Sequence, residues 1–110
     1  MRFAAIKNKD GKFIAATLKG ASAALAGGTA ADDLTLDVLD AAGPDTYPIT
    51  ALTYLLLRPS YDAVKGKRVK GFVTYVLTTG QGEAEGVDYA KLPAELAKKA
   101  LAQLDKVTIA

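Results

Sequence analysis

The chain has 110 residues, of which half are apolar, 24% are charged and 7% are aromatic, a balance typical of one globular domain rather than of a disordered chain. Fourteen basic and twelve acidic side chains leave a net charge of +2, which is too small to indicate a nucleic-acid partner. Cysteine and histidine are both absent, which excludes disulfides, Ser-His and Cys-His catalytic pairs and most zinc sites.

The N-terminal third predicts a hairpin followed by a helix. Asp10-Gly11 lies between two short apolar runs, and this dipeptide favours the positive φ angles of a tight turn. Thr17 can cap a following helix with its side-chain oxygen, and Gly27-Gly28 can end that helix. We therefore expect strands at residues 3–6 and 13–14, a turn at 9–11 and a helix at 18–26.

The middle of the chain predicts two further strands. The sequence LTLDVL at residues 34–39 begins with alternating apolar and polar residues, as in a strand with one buried face. The sequence ALTYLLL at residues 51–57 is almost continuously apolar, which is typical of an interior strand that is covered on both faces. Such a strand needs neighbours on either side.

The C-terminal half predicts two amphipathic helices and a short last strand. Apolar residues recur at helical spacing over residues 63–78, and Gly80 is expected to stop this helix. The last helix should begin near Pro93, because the fixed φ of proline suits the first helical position. Residues 107–109 are predicted to add a strand. Short strands that alternate with helices indicate an α/β fold made of one unit, residues 1–110.

Two basic or glycine-rich motifs could bind an anion, but each has a simpler structural interpretation. The sequence GASAALAGGTA at residues 20–30 is like a phosphate-binding loop, yet it lacks the Gly-Lys-Ser/Thr ending and its alanines favour a helix. The sequence KGKRVKG at residues 65–71 could contact an anion or a nucleic acid, but the exposed face of the predicted helix accounts for its charges. We favour the structural interpretation for both motifs.

The remaining polar residues form no recognisable catalytic or metal motif. The spacing of Asp32, Asp33, Asp37 and Asp40 matches no calcium loop. Ser22, Ser60 and Tyr61 have no base beside them in any known nucleophile pattern. The sequence therefore predicts a protein that is not an enzyme, with no catalytic residues, no metal site and no cofactor.

Four blocks of sequence, at residues 8–24, 40–57, 66–81 and 87–104, resemble the C-terminal region of PstS-type phosphate-binding proteins, the extracytoplasmic receptors of phosphate ABC transporters. The most specific pieces are YPIT at residues 47–50, TTGQ at 78–81 and DYAKLP at 88–93. The resemblance implies a partial periplasmic-binding-protein-like fold that lacks the upstream lobe sequence. It also implies a native role in phosphate capture for import.

In such receptors two α/β lobes close around the anion. The resemblance implies that residues 43–50 cross between lobes, with Tyr47, Pro48, Ile49 and Thr50 as the hinge-like residues. Proline restricts φ at this crossing and biases the preceding residue toward an extended conformation. The family's phosphate ligands lie upstream of the matched region, so no ligand-binding residue is carried over. Arg58, Arg68 and Asp37 are not substitutes on the basis of charge alone.

Two functions follow from the sequence. The chain is either part of a phosphate receptor or a self-associating α/β module without a ligand site. In both cases the apolar segment 51–57 should recruit another chain, either a second copy, most simply in a symmetric dimer, or the missing complementary lobe. Phosphate is expected to bind only if a site is assembled between chains. The family implies a location outside the cytoplasm, whereas MRFAAIKNKDGKF has no signal-peptide pattern and no run is long enough to span a membrane.

Overall fold

The computed structural model describes residues 2–110 and shows a mixed α/β chain with short strands and helices, as predicted. Two short 3-10 helices, Thr79–Gly82 and Ala84–Val87, connect the second and third α-helices. The other elements, in chain order, are β1 (Ile6–Lys7), β2 (Phe13–Ile14), α1 (Leu18–Gly27), β3 (Ser60–Tyr61), α2 (Ala63–Leu77), α3 (Ala94–Asp105) and β4 (Thr108–Ile109).

The N-terminal hairpin is confirmed. Strands β1 and β2 pair antiparallel, with Ile6 opposite Ile14. The turn between them is closed by the Asn8 N–H, which donates to the Lys12 carbonyl at 2.8 Å, and Gly11 has φ +82°, a conformation that glycine adopts without strain. The first strand lies at Ile6–Lys7 and not at residues 3–6, because the chain leaves β2 for α1 after Ile14 and offers residues 3–5 no partner.

Helix α1 begins where the sequence predicts. The Thr17 hydroxyl accepts a hydrogen bond from the Gly20 N–H at 3.1 Å, so it caps the first turn. The helix ends at Gly27, one residue later than predicted, and Gly28 follows in an extended conformation. Ala24 and Leu25 are its buried apolar residues. The Ala-Gly sequence from residue 20 is therefore a helix and a loop.

Helix α2 is capped by Asp62, whose carboxylate accepts a hydrogen bond from the Lys65 N–H at 2.8 Å. This hydrogen bond to the ionised carboxylate lowers the pKa of Asp62 below its ordinary value of 3.8. The helix ends at Leu77, and Gly80 lies inside a 3-10 helix instead of stopping α2 as predicted. The Gln81 side chain replaces a glycine cap, because its amide nitrogen donates to the Val76 carbonyl at 2.8 Å.

Helix α3 and the last strand are also confirmed. Pro93 lies immediately before the first helical residue, Ala94, and Leu104 is buried. Strand β4 pairs in parallel with β3, so that Ser60 lies opposite Thr108 and Tyr61 opposite Ile109. The sequence did not predict β3. Helix α2 packs closely on this pair, since a β-carbon on Gly66 would lie 2.8 Å from Cγ1 of Ile109.

Two predicted strands are wrong. Residues 34–39 form no strand, because Leu34 has φ +69° and the side chains of Asp33 and Asp37 hydrogen-bond locally to the N–H groups of Thr35 and Leu39. Residues 51–57 are neither paired nor buried within the described chain. An apolar run becomes a strand only when a neighbouring strand is present to pair with it.

The chain is elongated and its apolar core is thin. Its radius of gyration is 16.0 Å, against about 13 Å for a compact chain of this length. Its accessible surface is 7624 Å², against about 5,800 Å² for a compact monomer of this mass. The buried apolar residues among those described are Ala24, Leu25, Val38, Ala41, Val73 and Leu104. Within residues 2–110, no helix has the length and apolar character needed to cross a membrane.

Candidate functional site

The side chain of Asn8 holds the proline-containing loop of residues 40–50 against the hairpin. Asn8 is 5% exposed, and its amide nitrogen lies 3.1, 3.2 and 3.3 Å from the carbonyl oxygens of Gly43, Pro44 and Thr46. Its side-chain oxygen accepts from the Lys12 N–H at 2.9 Å. One buried amide therefore joins the turn of the hairpin to a loop 35 residues farther along the chain.

Thr46 and Gly43 set the shape of this loop. The Thr46 side chain is buried, and its hydroxyl lies 2.9 Å from the Ala41 carbonyl and 2.8 Å from the Gly43 carbonyl. Gly43 has φ +132°, and a β-carbon there would approach Cγ2 of Thr46 to 2.9 Å. Both the conformation and the close approach require glycine at this position.

The four hinge-like residues lie where the loop leaves the structured part of the chain. The Tyr47 N–H donates to the Gly20 carbonyl of α1 at 3.0 Å, and the Pro48 carbonyl accepts from the Asp40 N–H at 2.9 Å. The Thr50 hydroxyl donates to the Tyr47 carbonyl at 2.8 Å. Pro48 and Thr50 are buried while Ile49 is 65% exposed. The chain is therefore anchored up to Thr50 and becomes exposed directly after it.

The segment after the hinge-like residues, residues 51–57, forms no helix or strand and is largely exposed. No backbone N–H or carbonyl of this segment is hydrogen-bonded to any described residue. The Tyr54 hydroxyl accepts from the Leu36 N–H at 3.2 Å and gives the segment one side-chain anchor. Leu55 is 54% exposed and Leu56 is 94% exposed. A strongly apolar segment therefore presents both its side chains and its backbone to the outside.

A groove of about 340 Å³ lies between this segment and helix α2. We call it the α2 groove. Its walls are mainly aliphatic and aromatic, and Arg68 supplies its one charged side chain. A second cavity, of about 290 Å³, lies between the end of α1 and the start of α3. The residues lining the α2 groove are Leu55, Leu56, Leu57, Tyr61, Arg68, Val69, Phe72 and Val73.

The charged residues of the candidate anion and metal motifs do not converge on a site. Lys65, Lys67 and Arg68 are exposed on α2 and Lys70 is half-buried, so the motif lies mostly on the exposed face of the helix, in agreement with the structural interpretation. Asp33 accepts hydrogen bonds from both the N–H and the hydroxyl of Thr35, and these bonds lower the pKa of Asp33. Among residues 2–110, no group of three or more acidic side chains could hold a metal ion.

The second cavity is lined by Lys99, whose ammonium group is engaged in structural contacts. The ammonium group of Lys99 donates to the Ala30 carbonyl at 2.6 Å and lies 3.9 Å from a carboxylate oxygen of Asp32. Asp32 is exposed, so this ion pair contributes little to stability. Lys99 therefore joins α3 to the loop after α1, and it is not held free for a ligand.

Sequence reasoning missed the two side chains that organise the chain most. Asn8 directly precedes the predicted turn at residues 9–11, and nothing in its local pattern indicates a contact with residues 43–46. Gln81 donates to Val76 at the end of α2, and its oxygen accepts from the Leu92 N–H at 2.9 Å, just before α3. The TTGQ sequence had marked this place as specific without indicating the bond.

The comparison with known proteins points to one family. No family model matches the chain. A phosphate-binding protein PstS of Methanocaldococcus jannaschii is 37% identical over 86% of this chain and 28% of its own length. Phosphate-binding proteins PstS of two strains of Xylella fastidiosa, 9a5c and Temecula1, are 29% and 28% identical over 90% of the chain.

These three relatives carry names of binding proteins and not of enzymes. The chain spans 28% of the length of each of them. The matches extend over nearly the whole chain, so they are not confined to one helix or one motif. They agree with the resemblance that the YPIT, TTGQ and DYAKLP sequences indicate. The chain is therefore related, over most of its length, to a segment of the PstS-type phosphate-binding proteins.

Proposed function

We propose that this chain functions as part of a PstS-type phosphate receptor, which captures phosphate outside the cytoplasm for import by an ABC transporter. The observation that carries the proposal is the 37% identity to the M. jannaschii phosphate-binding protein over 86% of the chain. Binding, rather than catalysis, is the activity of this protein. The chain takes part in tight phosphate binding only when the rest of a receptor is present.

The distribution of polar residues supports a phosphate site to which sequence outside this chain contributes. A tightly bound phosphate dianion needs several convergent donors to replace its hydration shell. The α2 groove is mainly apolar with Arg68 as its one charged side chain, and Lys65 and Lys67 of α2 are exposed. The phosphate ligands of this receptor therefore come from sequence outside this chain, and the chain by itself binds phosphate weakly.

Residues Tyr47, Pro48, Ile49 and Thr50 act as the hinge crossing in this proposal. The contacts of Asn8 and Thr46 immobilise the loop up to Tyr47, whereas residues 51–57 have no backbone partner among the described residues. Bending is therefore confined to a few residues between a fixed loop and the open segment 51–57. In a complete receptor, phosphate should change the amide exchange of residues 49–52 and leave that of Thr46 constant. Equal responses at both places would contradict the hinge.

A chimera tests the proposed function. In it, this chain replaces the 28% of the M. jannaschii protein that it matches. Isothermal titration at low ionic strength with phosphate, and with sulfate as the control anion, should show micromolar or tighter phosphate-selective binding by the chimera. The isolated chain should show no measurable heat. A folded chimera that does not bind phosphate would contradict the proposed function.

Self-association without a ligand is the alternative function. The exposure of Leu55 and Leu56 favours it, because an exposed apolar edge recruits another chain. Sedimentation velocity over a wide range of concentration distinguishes the two functions. A dimer that forms at micromolar concentration would support the alternative, and a single monomer boundary throughout would exclude it.

A further inference from the structure

The open segment 51–57 precedes β3 in the chain, separated from it only by Arg58 and Pro59. Strand β3 is already paired, since Ser60 and Tyr61 pair with β4. The seven residues before Arg58 keep every backbone donor and acceptor free of described partners, on both edges. When an apolar segment of this kind becomes buried, its backbone donors and acceptors need hydrogen-bond partners, which a neighbouring strand supplies.

The pairing of β3 with β4 is too small to be a complete sheet. Each strand contributes two residues, and the pairing is parallel. Parallel sheets occur with several strands and with both faces covered, because their strands are apolar on both sides. Helices α2 and α3 lie in the connection between β3 and β4, so the two strands form one βαβ-like unit to which further strands can be added.

The surface that the chain leaves exposed is larger than a second copy would cover by pairing one short strand edge with another. The accessible surface exceeds that of a compact monomer by about 1,800 Å², whereas a standard interface covers about 800 Å² on each partner. A second copy could pair with one edge of residues 51–57, and the other edge would stay open. A partner that supplies strands on both edges and an apolar cover for Leu56 buries more of this surface than a second copy paired on one edge.

We propose that residues 51–57 and the α2 groove form the docking surface for the remainder of a PstS-type chain, which adds β-strands beside residues 51–57. This inference rests on the proposed function, because the partner is the portion of the receptor that this chain does not span. The relatives supply the physical basis: the chain matches 28% of their length, which leaves ample sequence to complete the sheet. The partner is recognised by strand pairing and apolar burial, not by charge.

Hydrogen exchange with mass spectrometry, without phosphate, tests the surface in the isolated chain at two concentrations and in the M. jannaschii chimera. In the isolated chain the amides of residues 52–57 should exchange rapidly at both concentrations. In the chimera they should exchange roughly tenfold slower or more, since paired strands open only by local unfolding. The amides of α2 serve as the internal reference for a folded chain.

Leu56→Lys provides the test by mutation. Leu56 is 94% exposed in the isolated chain, so the substitution should leave the Tm of the isolated chain unchanged and lower that of the chimera. Val87→Lys is the matched control, because Val87 is also apolar and 65% exposed but lies in a 3-10 helix away from the groove. It should leave both Tm values unchanged.

Three results would overturn the proposal. Residues 52–57 could remain rapidly exchanging in a chimera whose α2 is protected, which would show that the remainder does not pair there. Protection that rises with the concentration of the isolated chain would assign the surface to a second copy. An unchanged Tm of the Leu56→Lys variant of a folded chimera would show that the remainder does not cover this surface. Protection of residues 52–57 without phosphate binding would leave the surface intact and contradict only the proposed function.

Discussion

Asn8 illustrates how one side chain determines the arrangement of two distant parts of the sequence. It is one of the buried polar residues, together with Thr46 and Thr50, and all three hydrogen-bond to backbone carbonyls of the chain. These carbonyls belong to a loop that forms no helix or strand, so side chains must supply the donors that a ladder would otherwise provide. The loop of residues 40–50 is therefore held in its conformation by side-chain hydrogen bonds although it has no regular secondary structure.

Asn8→Ala should destabilise the isolated chain by about 1–3 kcal/mol, because it removes the amide that donates to the carbonyls of Pro44 and Thr46, while the Gly43 carbonyl keeps the Thr46 hydroxyl as a donor. Urea unfolding followed by far-UV circular dichroism measures the change. Lys9→Ala is the control, because Lys9 is exposed in the same turn and should alter stability little. Equal effects of the two substitutions would mean that the Asn8 contacts contribute no stability.

At the scale of elements, helix α2 connects the parallel strand pair to the rest of the chain. Its two interior glycines have different surroundings. Gly66 is buried against β3 and β4, and a β-carbon there would lie 2.8 Å from Ile109 Cγ1 and 3.2 Å from Tyr61 Cβ. Gly71 has no such neighbour within 4 Å. The same residue type therefore serves packing at one position and costs helix stability at the other.

We expect Gly71→Ala to stabilise the chain by about 0.5–1 kcal/mol, since alanine is the better helix former and no neighbour opposes it. Gly66→Ala should have the opposite sign, because the added carbon forces α2 away from Ile109. Urea midpoints of the two variants against the parent chain measure both effects. A stabilising Gly66→Ala would show that α2 does not pack closely on the strand pair.

At the scale of the whole molecule, the dominant feature is the small apolar core in an elongated chain of 51 × 28 × 19 Å. Large apolar side chains lie on the surface, among them Phe3 at 75% exposure and Phe13 at 71%. Hydrophobic burial supplies most of the free energy of folding, so a chain that leaves these residues exposed has a small margin of stability. A covering partner would add to that margin.

The exposed apolar surface should bind the dye ANS. The isolated chain is expected to give a strong, blue-shifted ANS fluorescence, and the M. jannaschii chimera a weak one, because the added strands cover residues 51–57 and the α2 groove. Fluorescence at equal protein concentration checks this. Equal signals from the two proteins would contradict the coverage, and the Val87→Lys chimera, with its surface change elsewhere, controls for nonspecific dye binding.

The sequence alone determined the elements whose hydrogen bonds link residues close together along the chain. Asp10-Gly11 determined the hairpin turn, Thr17 determined the start of α1, and helical spacing placed α2 and α3 to within a residue or two. In each case the hydrogen bonds involved link residues a few positions apart. The family relationship was also contained in the sequence, in pieces such as YPIT and DYAKLP. The hinge role of Tyr47, Pro48, Ile49 and Thr50 stays a prediction.

Only the tertiary structure decided which apolar runs pair. The sequence ALTYLLL has the composition of an interior strand but remains open, while the weakly apolar Ser60–Tyr61 pairs with Thr108–Ile109. The sequence also did not predict the hydrogen bonds of Asn8 and Gln81. Asn8 bonds to a loop 35 residues away, and Gln81 connects the end of α2 to Leu92. A strand and a long-range side-chain bond both need a partner that local sequence does not contain, and for residues 51–57 that partner is not among the described residues.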